Sequence, residues 1–136
     1  MALSNRFGSA RSAKSRLRCR CSQRSITHRR LPMIHLTKAS REFVETGLPG
    51  IRCCTVYADG GESADFFEFK AGATFPLHDH EGAEQILVLS GRIRFGHIEL
   101  SAGDYLKMGP GEQHDAYALE DSLFFSPHRG DVILKA

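Results

Sequence analysis

Two histidines separated by one residue, His78 and His80, form the most chemically informative pattern in this sequence. Side chains alternate between the two faces of a β-strand, so both imidazoles project from one face while Asp79 points to the other. Glu84 begins the next predicted strand, where its carboxylate can return to the same cavity. His114 follows thirty residues later, at the head of another predicted strand.

Three neutral imidazoles and one carboxylate form a donor set that suits a divalent first-row transition metal. The predicted ligands are His78, His80, Glu84 and His114. We expect iron, manganese, zinc or nickel, with positions left open for water or a small-molecule substrate. Asp79 and Glu81 are the alternative carboxylates if Glu84 is not the ligand. His97 and His128 are interpreted as solvated residues of a hairpin turn and a loop, although His128 has a second interpretation as a group that supports the metal ligands or acts as an acid or base.

Short runs rich in β-branched and aromatic residues fill the chain from residue 51 onward, with Gly or Pro every eight to twelve positions. This spacing predicts an all-β sandwich or barrel. The predicted strands are Arg52–Tyr57, Ala64–Phe69, Glu84–Leu89, Arg92–Phe95, Ile98–Leu100, Tyr105–Met108, Asp115–Leu119, Leu123–Ser126 and Val132–Leu134. One short helix is predicted at Lys38–Glu45. If the strand from Glu84 is regular, Ile86 and Val88 share its face and make the cavity apolar.

The residues of the predicted metal site resemble the two sequence motifs of the cupins. The spacing of the first motif is matched by Gly72, His78, His80, Glu84 and Gly91. The second motif is resembled by Gly103-Asp104, Pro110-Gly111 and His114. Gly109 and Ala118 depart from the second motif, where many cupins have Pro and Asn, but neither is a ligand position. The compact form of both motifs is most similar to the ChrR-type cupins.

The resemblance covers roughly residues 51–128 and implies a double-stranded β-helix, the cupin jelly-roll barrel. It also implies that the two histidines and the glutamate of the first motif bind one metal together with the histidine of the second. Small cupins commonly form homodimers through sheet edges, and unpaired edge strands make such pairing physically reasonable.

Charge is distributed unevenly along the 136 residues, although the net charge is only +2. Residues 1–32 hold nine of the 18 Lys and Arg residues, six Ser and no acidic residue. Residues 33–136 hold the other nine basic residues and all 16 acidic residues, a net charge of −7. We therefore predict a disordered basic arm, residues 1–32, followed by a single cupin domain, residues 33–136.

The composition of the arm leaves three interpretations open: an early start site with Met33 as the true start, an organellar transit peptide, or a tail that contacts nucleic acid. The acidic domain itself is not expected to bind nucleic acid. No apolar run is long enough for a membrane span. The four cysteines lie in two close pairs that cannot readily bridge within a pair, which favours reduced thiols and a cytoplasmic protein, or an organellar one if the arm is a transit peptide.

Two functions fit these predictions. The first is a metal-dependent oxidoreductase, similar to a dioxygenase, that acts on a small organic substrate at the three-His, one-Glu site. The second is a non-catalytic sensor or regulatory module with zinc at the same site, as in the zinc-dependent anti-sigma factors among the ChrR-type cupins. The fold alone does not separate them, because one fold hosts many functions.

Overall fold

The structure is a computed structural model that describes residues 16–17 and 33–135. Nearly all regular structure in these residues is β. The strands are β1 (Arg16–Leu17), β2 (Val44–Glu45), β3 (Ile51–Asp59), β4 (Glu62–Phe69), β5 (Thr74–His80), β6 (Glu84–Ser90), β7 (Arg92–Phe95), β8 (Ile98–Ser101), β9 (Tyr105–Met108), β10 (His114–Ala118), β11 (Ser122–Arg129) and β12 (Val132–Leu134). None of the helical structure in the described part of the chain is long and apolar enough to cross a membrane.

Two six-stranded antiparallel sheets face each other. One has the order β1-β12-β5-β10-β7-β8 and the other has the order β2-β3-β4-β11-β6-β9. The chain passes repeatedly from one sheet to the other after β5, and this alternation produces a double-stranded β-helix. The predicted all-β jelly-roll fold of the cupins is confirmed.

The core lies between the inner faces of the two sheets. Strand β6 illustrates how the sequence builds it, because Glu84, Ile86 and Val88 are buried while Leu87 and Leu89 on the outer face are about 40% exposed. This period-two pattern confirms that the two aliphatic residues share the face of the glutamate.

Gly91 connects β6 to β7 in a conformation that favours glycine. Its φ is +78°, and a Cβ added there would lie 2.1 Å from the carbonyl oxygen of Asp121 and 2.6 Å from Ser122 Oγ. The last glycine of the first motif is therefore needed for a close approach of two backbone segments.

We expect Gly91→Ala to lower the free energy of unfolding by about 3 kcal/mol or more, since backbone strain and a steric clash add. The matched control is Gly60→Ala, because Gly60 has a φ of +58° but no atom of the described residues would lie within 4 Å of the added Cβ. The Gly60→Ala variant has the backbone strain without the clash, so we expect it to lower the free energy of unfolding by about 1–2 kcal/mol. Urea unfolding of both variants measures the difference, and equal losses would contradict the role assigned to the close approach.

The beginning of the predicted domain differs from the prediction. The predicted helix at Lys38–Glu45 is a three-residue 3-10 helix at Lys38–Ser40, capped by Thr37, and the chain then extends into β2. Strand β2 pairs with β3, so sheet hydrogen bonding outweighs a weak local helix propensity. Within the predicted basic arm the structure describes only β1, which pairs with β12. The rest of that prediction lies outside the described residues.

Candidate metal centre

The fold brings all four predicted ligands together. His78 and His80 lie on β5, Glu84 begins β6, and His114 begins β10, directly opposite His78 in the β5–β10 ladder. Each of the four is only 5–6% exposed. One potential ligand atom from each residue lies within 4.8 Å of the corresponding atoms of the other three. The cluster therefore joins the two sheets at one end of the jelly roll.

The distances within this cluster are those of atoms that face a common point. Glu84 Oε2 lies 2.8 Å from His80 Nε2 and 3.1 Å from His114 Nε2. Among the described residues, none of these three atoms has a well-aligned hydrogen-bond partner, although all are buried. Burying polar atoms in this way is costly, and a cation between them would remove the cost. The donor set and its spacing fit a divalent transition metal, whose bonds to nitrogen and oxygen are about 2.0–2.2 Å.

Neighbouring groups fix the orientation of two of the four side chains. His78 Nδ1 lies 2.8 Å from the carbonyl oxygen of Pro76. Because a carbonyl only accepts, Nδ1 carries the proton and the lone pair of Nε2 faces the cluster. Ser126 Oγ donates to Glu84 Oε1 over 2.9 Å, which leaves Oε2 for the cluster. Partners of this kind commonly orient metal ligands and tune their affinity.

The cluster also changes the proton affinities of its members. Burial would raise the pKa of Glu84, but the nitrogens of His114 and His80 in contact with it outweigh burial and hold that pKa well below its usual range. Burial and the nearby His114 lower the pKa of His78 to about 4. His78 is therefore neutral and Glu84 is ionised at neutral pH, the states in which imidazole and carboxylate bind metals.

We expect the metal-free protein to lose stability as the pH falls from 6.5 to 4. In that range the unfolded chain protonates His78 at its ordinary pKa of 6.5, whereas the folded chain resists protonation down to about 4. The loss from this group alone is about 3 kcal/mol, and Glu84 acts in the same direction at the acid end. Urea unfolding of chelator-treated protein measures it. The pH dependence of the free energy of unfolding should weaken in His78→Gln. An unchanged pH dependence in that variant would contradict its assignment to His78.

The alternative carboxylates do not join the cluster. Asp79 faces the other side of β5, where one of its oxygens lies 2.6 Å from Lys135 Nζ. Glu81 lies in the loop after β5, where its carboxylate accepts a hydrogen bond from the backbone N–H of Asp131 over 3.3 Å. Glu84 is therefore the carboxylate that the structure places with the three histidines.

The interpretation of His128 as a solvated loop residue is wrong. His128 lies on β11, opposite Glu84 of β6, and its side chain is only 13% exposed. Its ring centroid lies 5.4 Å from that of His80. The predicted strand ended at Ser126, but β11 continues to Arg129 and keeps Ser126 and His128 on the inner face. His97, in contrast, is exposed in the turn between β7 and β8.

One cavity adjoins the cluster, and a second lies beside the first. A small one of about 40 Å³ is lined by three of the four cluster residues and by five phenylalanines, Phe67, Phe69, Phe75, Phe95 and Phe124. A larger one of about 380 Å³ opens beside it, and both are lined by Phe67, Phe75, His128 and Val132. The cluster thus has an apolar wall, and a space of the size that small molecules occupy lies beyond the residues that line both cavities.

Comparison with known proteins agrees with this architecture. The model of the family described as ChrR Cupin-like domain matches residues 32–132. The human 2-aminoethanethiol dioxygenase is 30% identical over 86 residues, which are 63% of this chain. These residues span only 30% of the length of the human protein.

Two solved structures show the same fold. A putative acetylacetone dioxygenase from Methylibium petroleiphilum superposes with a TM-score of 0.71 at 15% identity, over 82% of this chain and 86% of the other. The complex of SigE with the anti-sigma ChrR from Rhodobacter sphaeroides contains a chain that superposes with a TM-score of 0.60 at 23% identity. That match covers 68% of this chain and 50% of the other.

Proposed function

This chain belongs to the ChrR cupin-like family, and we propose that it is a metal-dependent dioxygenase that oxidises a small organic molecule at the four-residue cluster. The observation that carries the proposal is the convergence of four buried donor atoms beside a cavity. The dioxygenase names of the human relative and of the structural neighbour support this choice of reaction.

His78, His80, Glu84 and His114 would hold the metal. A bound redox-active divalent metal such as iron would supply the electron transfer that dioxygen needs to react with an organic molecule. Glu84 offsets part of the cation's charge, and the three imidazoles contribute none in their neutral form. A set of four protein donors leaves positions for exogenous ligands at a metal of coordination number five or six.

The surrounding residues prepare the site for oxidation of a small molecule. Ser126 holds one oxygen of Glu84 and so fixes the carboxylate. The ring of Phe75 lies 4.6 Å from that of His78 and restricts its rotation. The phenylalanines that line the small cavity exclude water, which protects reactive species from side reactions.

Metal analysis and oxygen uptake test the proposal together. The full chain, purified without added metal, should contain close to one transition metal ion per chain. After loading with iron it should consume oxygen in the presence of 2-aminoethanethiol or a β-diketone such as acetylacetone, the molecules in the names of the relatives. Absence of bound metal, or metal without oxygen uptake on either compound, would contradict the proposal.

A sensor is the second candidate, and its support is the family itself, which takes its description from ChrR. In this function zinc would hold the mouth of the jelly roll, and a ligand or an oxidant would change a surface that contacts a partner. Tightly held zinc with no oxygen uptake after exchange for iron would favour the sensor over the dioxygenase.

A further inference from the structure

The residues that line the larger cavity indicate which kind of molecule can bind in it. Its inner end is lined by Thr55, Asp65, Phe67, Phe75 and His128, and it reaches the surface near the turn between β3 and β4. Of these residues, Phe67, Phe75 and His128 also line the small cavity at the metal centre. A molecule at the inner end of the larger cavity is therefore separated from the metal centre only by residues that line both cavities.

Asp65 is an unusual residue at the inner end of such a cavity. It is 5% exposed, and Thr55 Oγ1 donates to its Oδ1 over 2.5 Å. None of the described residues that line the cavity is a lysine or an arginine. A carboxylate buried without a cationic partner is costly, and here burial raises the pKa of Asp65.

His128 faces the same carboxylate without completing a hydrogen bond to it. Its Nδ1 lies 3.8 Å from Asp65 Oδ2, beyond hydrogen-bond distance. That nitrogen is buried and has no hydrogen-bond partner in the described part of the chain. Two polar groups are thus held apart at the place where the cavity meets the metal centre.

We propose that Asp65 and His128 form a binding subsite for an ammonium group, so that the substrate is a short amine whose other end coordinates the metal. This inference rests on the proposed function and specifies its substrate class. An ammonium group offers three donors, one for Asp65 Oδ2 and one for His128 Nδ1, which would accept it. The positive charge also gives the buried carboxylate the counterion that the cavity lining lacks.

The dimensions of the subsite restrict the substrate to a few atoms between its two ends. The ring of His128 lies 5.4 Å from that of His80 and its Nδ1 lies 3.8 Å from Asp65. One side chain thus spans the distance from the metal centre to the ammonium subsite. A chain of two or three carbons with an amine at one end and a thiol or oxygen donor at the other fits this separation.

Binding of two matched thiols to the zinc-loaded full chain tests the inference without turnover. The first is 2-aminoethanethiol, and the second is 2-mercaptoethanol, which has a hydroxyl group in place of the amine. Titration calorimetry should give a dissociation constant at least about tenfold lower for the amine, the effect of a charge-assisted hydrogen bond in a buried site. Asp65→Asn should remove most of this preference, while the zinc content stays unchanged.

Glu99→Gln is the matched control, because Glu99 is an exposed carboxylate on β8 that lines neither cavity. It should keep the full preference for the amine. Equal binding of the two thiols by the unmodified protein would overturn the inference. A preference that survives in Asp65→Asn would overturn it too. Both results leave the proposed dioxygenase intact, whereas a protein that retains no metal contradicts that function and the subsite together.

Discussion

Glu84→Gln is expected to lower the affinity for the metal by about a hundredfold or more, since loss of a ligand costs at least as much as loss of a residue that orients one. The substitution keeps the side-chain volume and the acceptor for Ser126, but it removes the only negative charge in the cluster. One of the two polar atoms of the glutamine amide would be an NH₂ nitrogen, which does not offer the metal a lone pair. The protein should still fold, because no core packing changes.

Glu81→Gln supplies a control of the same chemistry three residues earlier. Glu81 lies outside the cluster, so this variant should retain metal as the unmodified protein does. Competition with a chelator of known affinity measures both variants, and circular dichroism checks that both are folded. Unchanged affinity in Glu84→Gln would mean that the carboxylate has been assigned to the wrong residue.

The residues within one motif were predictable because local geometry places them. A period of two along β5 sends His78 and His80 to one face, and a three-residue turn returns Glu84 to the same cavity. The cupin resemblance then supplies the fold, and it connects this local group to His114. The phenylalanines around the cluster could be counted in the sequence, but their positions come from four different strands that only the closed fold brings together.

The groups around Asp65 were not predictable in the same way. Asp65 lies opposite Ser126 in the β4–β11 ladder, and His128 lies opposite Glu84 in the β6–β11 ladder. Both cross-strand pairs depend on the register of strands that are far apart in the sequence. Composition and motif spacing do not determine that register. One local signal was present, because the alternation of Phe124, Ser126 and His128 continues the inner face of β11 past the predicted strand end.

His114→Ala tests whether the metal site depends on closure of the fold. His78, His80 and Glu84 come from one short segment and have the donor types to bind a metal by themselves, in which case His114 would be incidental. The structure places His114 opposite His78, with 4.2 Å between the ring centroids, and its Nε2 contacts Glu84. Because it completes the group of donor atoms, its loss should weaken metal binding as much as the loss of His78.

We therefore expect His114→Ala and His78→Ala each to lower metal affinity by at least about tenfold. His97→Ala and His128→Ala should retain the metal, because neither residue belongs to the cluster; the first is exposed in a turn and the second faces Asp65. The measurement is metal content per chain after the same chelator treatment, with thermal unfolding to confirm that each variant is folded. If folded His114→Ala keeps as much metal as the unmodified protein, the first motif binds it alone. The site that joins the two sheets, and the oxidation chemistry proposed for it, would then lose their main support.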